Sequence, residues 1–314
     1  MVLPMSNPPK FAVVILNWNG WEDTKECLES LRRLTYPASE TYVVDNGSTD
    51  GSPERIETHF PDAKLVRLRH NRGFGGGMNA GLQAALEDGH EFILSLNNDM
   101  TVDPGIIETL VAAAKSGKVV PYPALYRYDD RDAIDNLGQR INLFTGLTRM
   151  VAHGHRELPS RIEADYTEVP LLNRAAQQAV GGWDESYFAL YEDADLSLRL
   201  RKAGWRLVCV SKAKVYHKRG RTTGRVPGLV SYYSIRNRLK VVRSHGSPWH
   251  YLTTLLHILL FTIPYIGLVC LHKPNHKHSF RHILIGLADG LLPWRREISR
   301  DWRISDPRPS GPDP

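Results

Sequence analysis

The sequence reads as an α/β protein: a mainly parallel central sheet flanked by helices, with a C-terminal helical, membrane-associating segment. Three observations predict this. Apolar, β-branched runs alternate four times with helically spaced segments between Phe11 and Lys115. Polar stretches follow these runs, at Asn17-Trp18-Asn19-Gly20, Asp45-Asn46-Gly47-Ser48, Asn71-Arg72-Gly73-Phe74-Gly75 and Asn97-Asn98-Asp99. In a parallel sheet all four fall at the carboxyl ends of the strands, where ligands bind. After Pro227-Gly228 the composition turns basic and apolar.

The elements follow in order. Phe11 to Leu16 is a continuous apolar run and reads as a buried strand. Cys27, Leu28, Leu31 and Leu34 recur at helical spacing, and Pro37 closes that helix. Thr41 to Val44 is a second strand, with a helix starting near Pro53. Lys64 to Leu68 is a third, and the glycine-rich stretch after it opens a helix ending near Gly89. Phe92 to Leu96 is a fourth, and Asp103-Pro104 predicts a cap and first-position proline for a helix through Lys115. From Val119 to about Pro170 the periodicity weakens, and an irregular or antiparallel insertion is expected. Leu171-Leu172 is a brief apolar patch, Arg174 to Val180 a short helix, and Leu207 to Val210 and Lys214 to Tyr216 two short strands.

Between these lies the stretch around which the chain is organised, Tyr187 to Arg199. It places Glu192, Asp193 and Asp195 in the first turn of a helix that stops at Ala203-Gly204. Free N–H groups and the helix dipole favour negative charge there. One acid would be ordinary decoration; three in four positions behind Tyr187, Phe188 and Tyr191 point to a catalytic carboxylate in a cleft.

The net charge of +6 hides an asymmetry. Residues 199 to 314 hold 22 Lys/Arg against 5 Asp/Glu, whereas residues 1 to 198 hold 18 against 29. Basic residues among apolar ones fit an anionic membrane surface better than nucleic acid, and no nucleic-acid partner is expected. Tyr251 to Leu271 is long enough to cross a bilayer, but basic residues flank both sides and His257 and Pro264 interrupt it. In-plane or re-entrant helices on the cytoplasmic face are the reading; a true span and a buried soluble helix are the alternatives. His272, His276, His278 and His282, interleaved with Lys273, Lys277 and Arg281, read as a solvated interfacial segment rather than a metal tract. Cys27, Cys209 and Cys270 suggest no disulfide framework, and the polar, proline-rich Met1 to Lys10 lacks the layout of a signal peptide. Both point to the cytosol. The expected divisions are a flexible N-terminus at 1–10, a catalytic domain at 11–225 and a membrane-associating region at 226–314.

The motifs Val13-Val14-Ile15-Leu16-Asn17-Trp18-Asn19, Val43-Val44-Asp45-Asn46-Gly47-Ser48-Thr49-Asp50-Gly51, Asn71-Arg72-Gly73-Phe74-Gly75, Leu96-Asn97-Asn98-Asp99, Gly181-Gly182-Trp183-Asp184-Glu185 and Tyr191-Glu192-Asp193-Ala194-Asp195-Leu196 stand in this order over residues 11 to 225. Together they resemble glycosyltransferase family 2, which has the GT-A fold, and within it the bacterial rhamnosyltransferase-like branch. The resemblance implies inverting transfer of a sugar, rhamnose favoured, from a nucleotide-diphosphate sugar, dTDP- or UDP-linked favoured. The acceptor it implies is a hydroxyl of a lipid-linked or glycan substrate in cell-surface polysaccharide synthesis.

By match to the family, Asp193 is the base, Glu192 orients the acceptor and Asp195 supports the helix. Asp99 ends the family's metal motif and binds Mg2+ or Mn2+ at the diphosphate, although Asn97 and Asn98 stand where a second acid is common. His217 matches a histidine near the diphosphate, with a metal or phosphate role set against a plain strand-end histidine, and Lys218, Arg219 and Arg221 offer positive charge. Asp45 resembles the nucleobase contact; Asn17, Asn71, Arg72, Gly73 and Gly75 complete the donor side, with Asp50 capping the next helix. Thr167-Glu168-Val169-Pro170 departs from a small Gly-Ala pair. That departure and the single acid of Asn97-Asn98-Asp99 support a rival reading, a catalytically silent domain of the same fold that binds nucleotide sugar or scaffolds a membrane complex.

Overall fold

The computed structural model describes residues 8–219, 228–272 and 277–292. The expected domain boundary near Arg225, the cation Arg221 and His276 lie outside them. The described residues fall into two units, one of 8–141 with 148–219 and one of 142–147 with 228–292.

The first unit is built on a five-stranded sheet. Its strands are β1 (Phe11–Asn17), β2 (Ser39–Asp45), β3 (Lys64–Arg67), β4 (Phe92–Asn97) and β10 (Leu171–Asn173), in the order β10-β4-β1-β2-β3. All pair in parallel except β10, which is antiparallel to β4. The two faces follow from the period of two along each strand. Phe11, Val13, Ile15, Val43, Leu94 and Leu96 pack with Cys27 and Leu28 of α1 (Trp21–Leu31) and Ile107 and Leu110 of α4 (Ile106–Ala114). Ala12, Val14, Tyr42, Val44 and Ile93 pack with Met78 and Leu82 of α3 (Gly73–Glu87) and Leu196 and Leu200 of α6 (Glu192–Lys202). Helix α2 (Ser52–His59) bridges β2 and β3, and α5 (Arg174–Val180) follows β10, starting at Asn173, whose side chain accepts from Ala176 N.

A second, four-stranded sheet was not foreseen. It runs β5 (Met100–Val102), β11 (Arg206–His217), β6 (Val119–Arg127) and β7 (Ile134–Asn136). The region expected to be an irregular or antiparallel insertion is so from β7 onward, β7 pairing antiparallel with β6, but it opens on β6, a nine-residue strand buried at all but its last residue and parallel to β11. Pro121 and Pro123 conceal it in the sequence. They share parity, and β7 pairs only with Leu125 and Tyr126, so their missing donors fall on the side β7 leaves uncovered. The two strands expected at 207–210 and 214–216 are one strand with a register shift between Val210 and Lys214. Helix α4 begins at Ile106 behind Gly105, because Asp103 and Pro104 are spent in the turn that leaves β5. The remaining hairpin is β8 (Gln139–Asn142) with β9 (Leu147–Met150).

In the second unit, α7 (Leu229–His245) packs closely on α10 (Lys277–Leu291). A Cβ on Gly286 would stand 2.5 Å from Tyr232 O, and the Tyr232 hydroxyl donates to Asp289 at 2.7 Å. The hairpin tip belongs to this unit: Arg238 donates to Thr145 O, and Thr254 Oγ1 to Leu143 O at 3.1 Å. Helix α8 (Pro248–His257) continues through a π-helical turn at Ile258–Thr262 into α9 (Ile263–His272). The wider turn admits Pro264, which has no N–H and whose ring crowds the preceding turn. Pro248–Val269 is long and apolar enough to cross a membrane, with mean hydropathy 1.9. Ile258, Leu255 and Ile266 pack inward, whereas Trp249, Leu260, Phe261, Tyr265 and Leu268 are exposed.

Candidate functional site

The ends of β1, β2 and β4 bring Asn17, Asp45 and Asn98 together. Asn17 Nδ2 donates to Asp45 Oδ1 at 3.0 Å and to Ser48 Oγ at 3.1 Å, and its Oδ1 accepts from Thr24 at 2.8 Å. Thr24 Oγ1 in turn accepts from Asn98 Nδ2 at 2.9 Å, and Asp45 Oδ2 accepts from Ser48 N at 3.1 Å. Beside them, Asn46 donates to Asn71 Oδ1 and Gly73 O, each at 3.0 Å, and accepts from Arg72 N at 2.9 Å. The Asp50 carboxylate accepts from Ser52 N at 3.0 Å, at the start of α2.

The glycine-rich loop lies close against another part of the chain. Gly73, at φ +76°, has its Cβ position 2.5 Å from Phe188 O, and that of Gly75 lies 3.0 Å from Trp183 Cβ. These glycines let the chain's own 183–188 loop approach. Arg72 is likewise engaged within the chain, with Glu185 at 2.9 Å. Asn97 ends β4 half-buried, its carbonyl facing Cys27.

That 183–188 loop delivers α6. Phe188, Leu190 and Tyr191 all take positive φ, at 59°, 67° and 69°, a region costly for side chains of their kind. The strained turn swings Glu192 and Asp193 onto the helix mouth. Trp183 Nε1 donates to Asp193 Oδ1 at 3.0 Å, while Asp195 pairs with Arg199 at 2.7 Å and Arg199 holds Gly182 O at 2.9 Å. Asp195 thus braces the loop against the helix. Glu192 is buried and its Oε2 has no hydrogen-bond partner; Asp193 keeps partial exposure. Burial, and then the charge of Glu168, raise the carboxyl of Glu192 above the ordinary range. Burial first, then Glu192, then Glu168 raise Asp193 well above it, against the Trp183 hydrogen bond that lowers it.

Asp99 and His217 meet where β5 pairs with β11. His217 Nε2 lies 3.3 Å from Asp99 Oδ1, and its Nδ1 lies 3.4 Å from Asp135 Oδ2. Burial opposes the charged ring, but Asp135 and Asp99 outweigh it and raise His217 to about 10. Arg219 pairs with Asp135 and reaches to 3.7 Å from Glu168, which accepts from Asn136 Nδ2 at 2.8 Å. Lys218 points elsewhere, to Asp23 at 2.9 Å and Glu26 at 2.8 Å, so the two neighbouring cations serve different sites.

Among the described residues, Asp99, Asp135 and Glu168 gather about His217 and Arg219, an excess of carboxylates that suits a cation. The donor atoms fit one. A hard cation with bonds of about 2.1 Å at right angles holds adjacent donors about 3.0 Å apart, close to the Asp99–His217 spacing, with the cation taking the place of the proton that the carboxylates hold on His217. Asp135 stands behind the ring, the place of an outer carboxylate where a histidine ligates a metal.

Residues 12–170 match the model of glycosyl transferase family 2. The chain belongs to that family. It is 30% identical over 244 residues to the N-acetylglucosaminyl-diphospho-decaprenol L-rhamnosyltransferase of Mycobacterium tuberculosis, covering 68% of this chain and 78% of that enzyme. Among solved structures it resembles GalNAc-T7 with UDP, GalNAc and Mn2+, at TM-score 0.63 and 17% identity over 92% of this chain and 58% of that one. It also resembles the mannosyltransferase PcManGT of Pyrobaculum calidifontis in complex with GDP-Man and Mn2+, at TM-score 0.54 and 17% identity over 92% and 89%. The fold is the GT-A fold, and the family 2 membership makes this chain a glycosyltransferase.

Sequence reasoning about the family 2 site missed Asp135, which falls in the stretch read as irregular; an acid between Ile134 and Asn136 was the available signal. Glu168 was noticed only as a departure, and Trp183 only as part of a motif.

Proposed function

We propose that this glycosyltransferase moves a sugar, rhamnose favoured, from a dTDP- or UDP-linked donor to a hydroxyl of a lipid-linked glycan, with inversion. The observation that carries the reading is Asp193, a partly exposed carboxylate on a helix mouth whose surroundings raise its basicity. Asp193 accepts the proton of the acceptor hydroxyl as that oxygen bonds to the anomeric carbon. Trp183 fixes the direction of its lone pairs, and Glu192 lies beside it to orient the acceptor. Asp45 and Asn17 grip the nucleoside, and Arg219 adds positive charge at the diphosphate. Asp99 and His217 would hold Mg2+ or Mn2+, which when bound neutralises the departing diphosphate. Among the described residues no group of three or more acidic, histidine or cysteine side chains converges on one position. Two protein ligands leave room for the diphosphate oxygens and water that such ions keep.

The lipid-linked acceptor and a place at the inner face of the cytoplasmic membrane rest on the mycobacterial relative and on the apolar surface of α8 and α9. Trp249, Leu260, Phe261 and Tyr265 are the side chains that would enter lipid. The test supplies dTDP-rhamnose and UDP-sugars to purified protein with polyprenyl-diphosphate-linked N-acetylglucosamine and follows glycolipid product. Product dependent on Asp193 and on a divalent ion is expected; no glycolipid product from any of the donors would defeat the reading. Removal of residues 249–314 is expected to free the protein from vesicles, and continued sedimentation with them would remove the membrane from the proposal.

A further inference from the structure

Glu168 lies in the stretch Thr167-Glu168-Val169-Pro170, and the proposed mechanism gives it no task. It is neither a surface charge nor a packing filler. Its side chain is 14% exposed, its Oε1 accepts from Asn136 Nδ2 at 2.8 Å and lies 3.7 Å from Arg219 Nη2. Arg219 also pairs with Asp135, Asp135 faces His217, and His217 faces Asp99. On the other side the segment of Glu168 lies against α6, because Thr167 N donates to Ser197 Oγ at 3.4 Å, one turn from Asp193. Glu168 thus stands between the charged groups at the end of β11 and a segment bonded to α6.

We propose that Glu168 is a positioning residue for sugar transfer: it holds Arg219 against Asp135 at the diphosphate end and sets a carboxylate beside the base Asp193. The proposal rests on the assignment of Asp193 as base. Asp193 is faced by Glu192 on its own helix, by Glu168 and Tyr166 from the segment before β10, and by the Trp183 indole from the preceding loop. The remaining neighbours of Glu168 are the cations Arg219 and His217 on β11. Glu168 therefore does two things a small residue cannot. It anchors a guanidinium, and its like charge keeps the proton affinity of Asp193 high, consistent with the upward effect of Glu168 on both Asp193 and Glu192.

The test compares wild type, Glu168→Gln and Glu168→Asp. The fluorescence of Trp183, taken as the difference from Trp183→Phe, reads the protonation of Asp193 through their hydrogen bond and requires no substrate. In Glu168→Gln its midpoint is expected to fall by about 0.5 to 1 pH unit, Glu168→Asp returning part of the way. The acid limb of kcat/KM should move with it, and the donor KM should rise several-fold as Arg219 loosens. A midpoint unmoved in Glu168→Gln overturns the proposal, whatever happens to the rate. If wild type transfers none of the sugars offered, the function fails while the fluorescence titration still decides the role of Glu168.

Discussion

The carboxyl edge of the sheet has two halves that differ in how far they satisfy themselves. On the side of β1, β2 and β4, Asn17, Asp45, Asn46, Asn71 and Asn98 bond one another and the backbone, and none of their side-chain atoms is buried without a partner. On the side of β5, β7, β11 and α6, Asp135 Oδ2, Asn136 Oδ1, Glu192 Oε2, His217 Nδ1 and Arg219 Nη2 are all buried without hydrogen-bond geometry to a partner. An unmet buried polar atom costs about 1–3 kcal/mol. The first half is a finished socket; the second keeps charge and bonding capacity that the fold itself does not consume. Binding rigidity and reactive potential are thus divided between adjacent strands, and substitutions in the two halves should fail in different ways.

The largest effect is expected at the base. Asp193→Asn should lower kcat about 10²- to 10⁴-fold while nucleotide affinity stays within about twofold, and retained turnover would falsify the assignment. Asn46→Ala, in the finished half, should instead cost about 2–3 kcal/mol of stability through three lost hydrogen bonds, read as a lowered denaturation midpoint; an unchanged midpoint would show that this network bears no load. Asp135→Asn, in the unfinished half, should lower stability by taking a buried charge partner from Arg219 and His217, and should beyond that weaken metal-dependent nucleotide binding about 10- to 100-fold. Equal affinity in titration calorimetry would remove Asp135 from behind His217.

The smallest effect concerns pH. The carboxyl of Glu192 is raised in the folded state, so the native protein binds more protons than the unfolded chain between the ordinary carboxylate value and the raised one. Stability therefore falls as pH rises through that window. Glu192→Gln should stabilise the protein by about 1 kcal/mol at pH 7, and the gain should vanish once pH falls below the ordinary carboxylate range. A gain that persists in acid would mean that packing, not charge, is responsible.

Much of the finished half was legible because it sits directly behind strongly patterned strands: Phe11 to Leu16 is a continuous apolar run, Phe92 to Leu96 is apolar but for Ser95, and the polar residues after them fall at one edge. The unfinished half was legible only at its ends. Asp99 and Asp193 lie in short motifs, but the strands that bring His217 and Asp135 to them were disguised by Pro121, Pro123 and the irregular stretch between Val210 and Lys214. The left-handed residues Phe188, Leu190 and Tyr191 were invisible for a further reason: aromatic and branched side chains disfavour that backbone, so tertiary packing alone imposes it. Gly73 and Gly75 were assigned to the donor side from the motif, and nothing in the sequence signals that the 183–188 loop packs against them.

The most direct test of the division between the halves is calorimetric titration of the wild type and of Asp99→Ala with dTDP-, UDP- and GDP-linked sugars. Each is titrated with Mg2+, with Mn2+ and with chelator. Selective binding of one nucleotide that weakens with chelator, and weakens equally in Asp99→Ala, is the predicted result. Binding of equal strength with chelator and in Asp99→Ala would contradict it, since the nucleotide would then be held by the finished half alone.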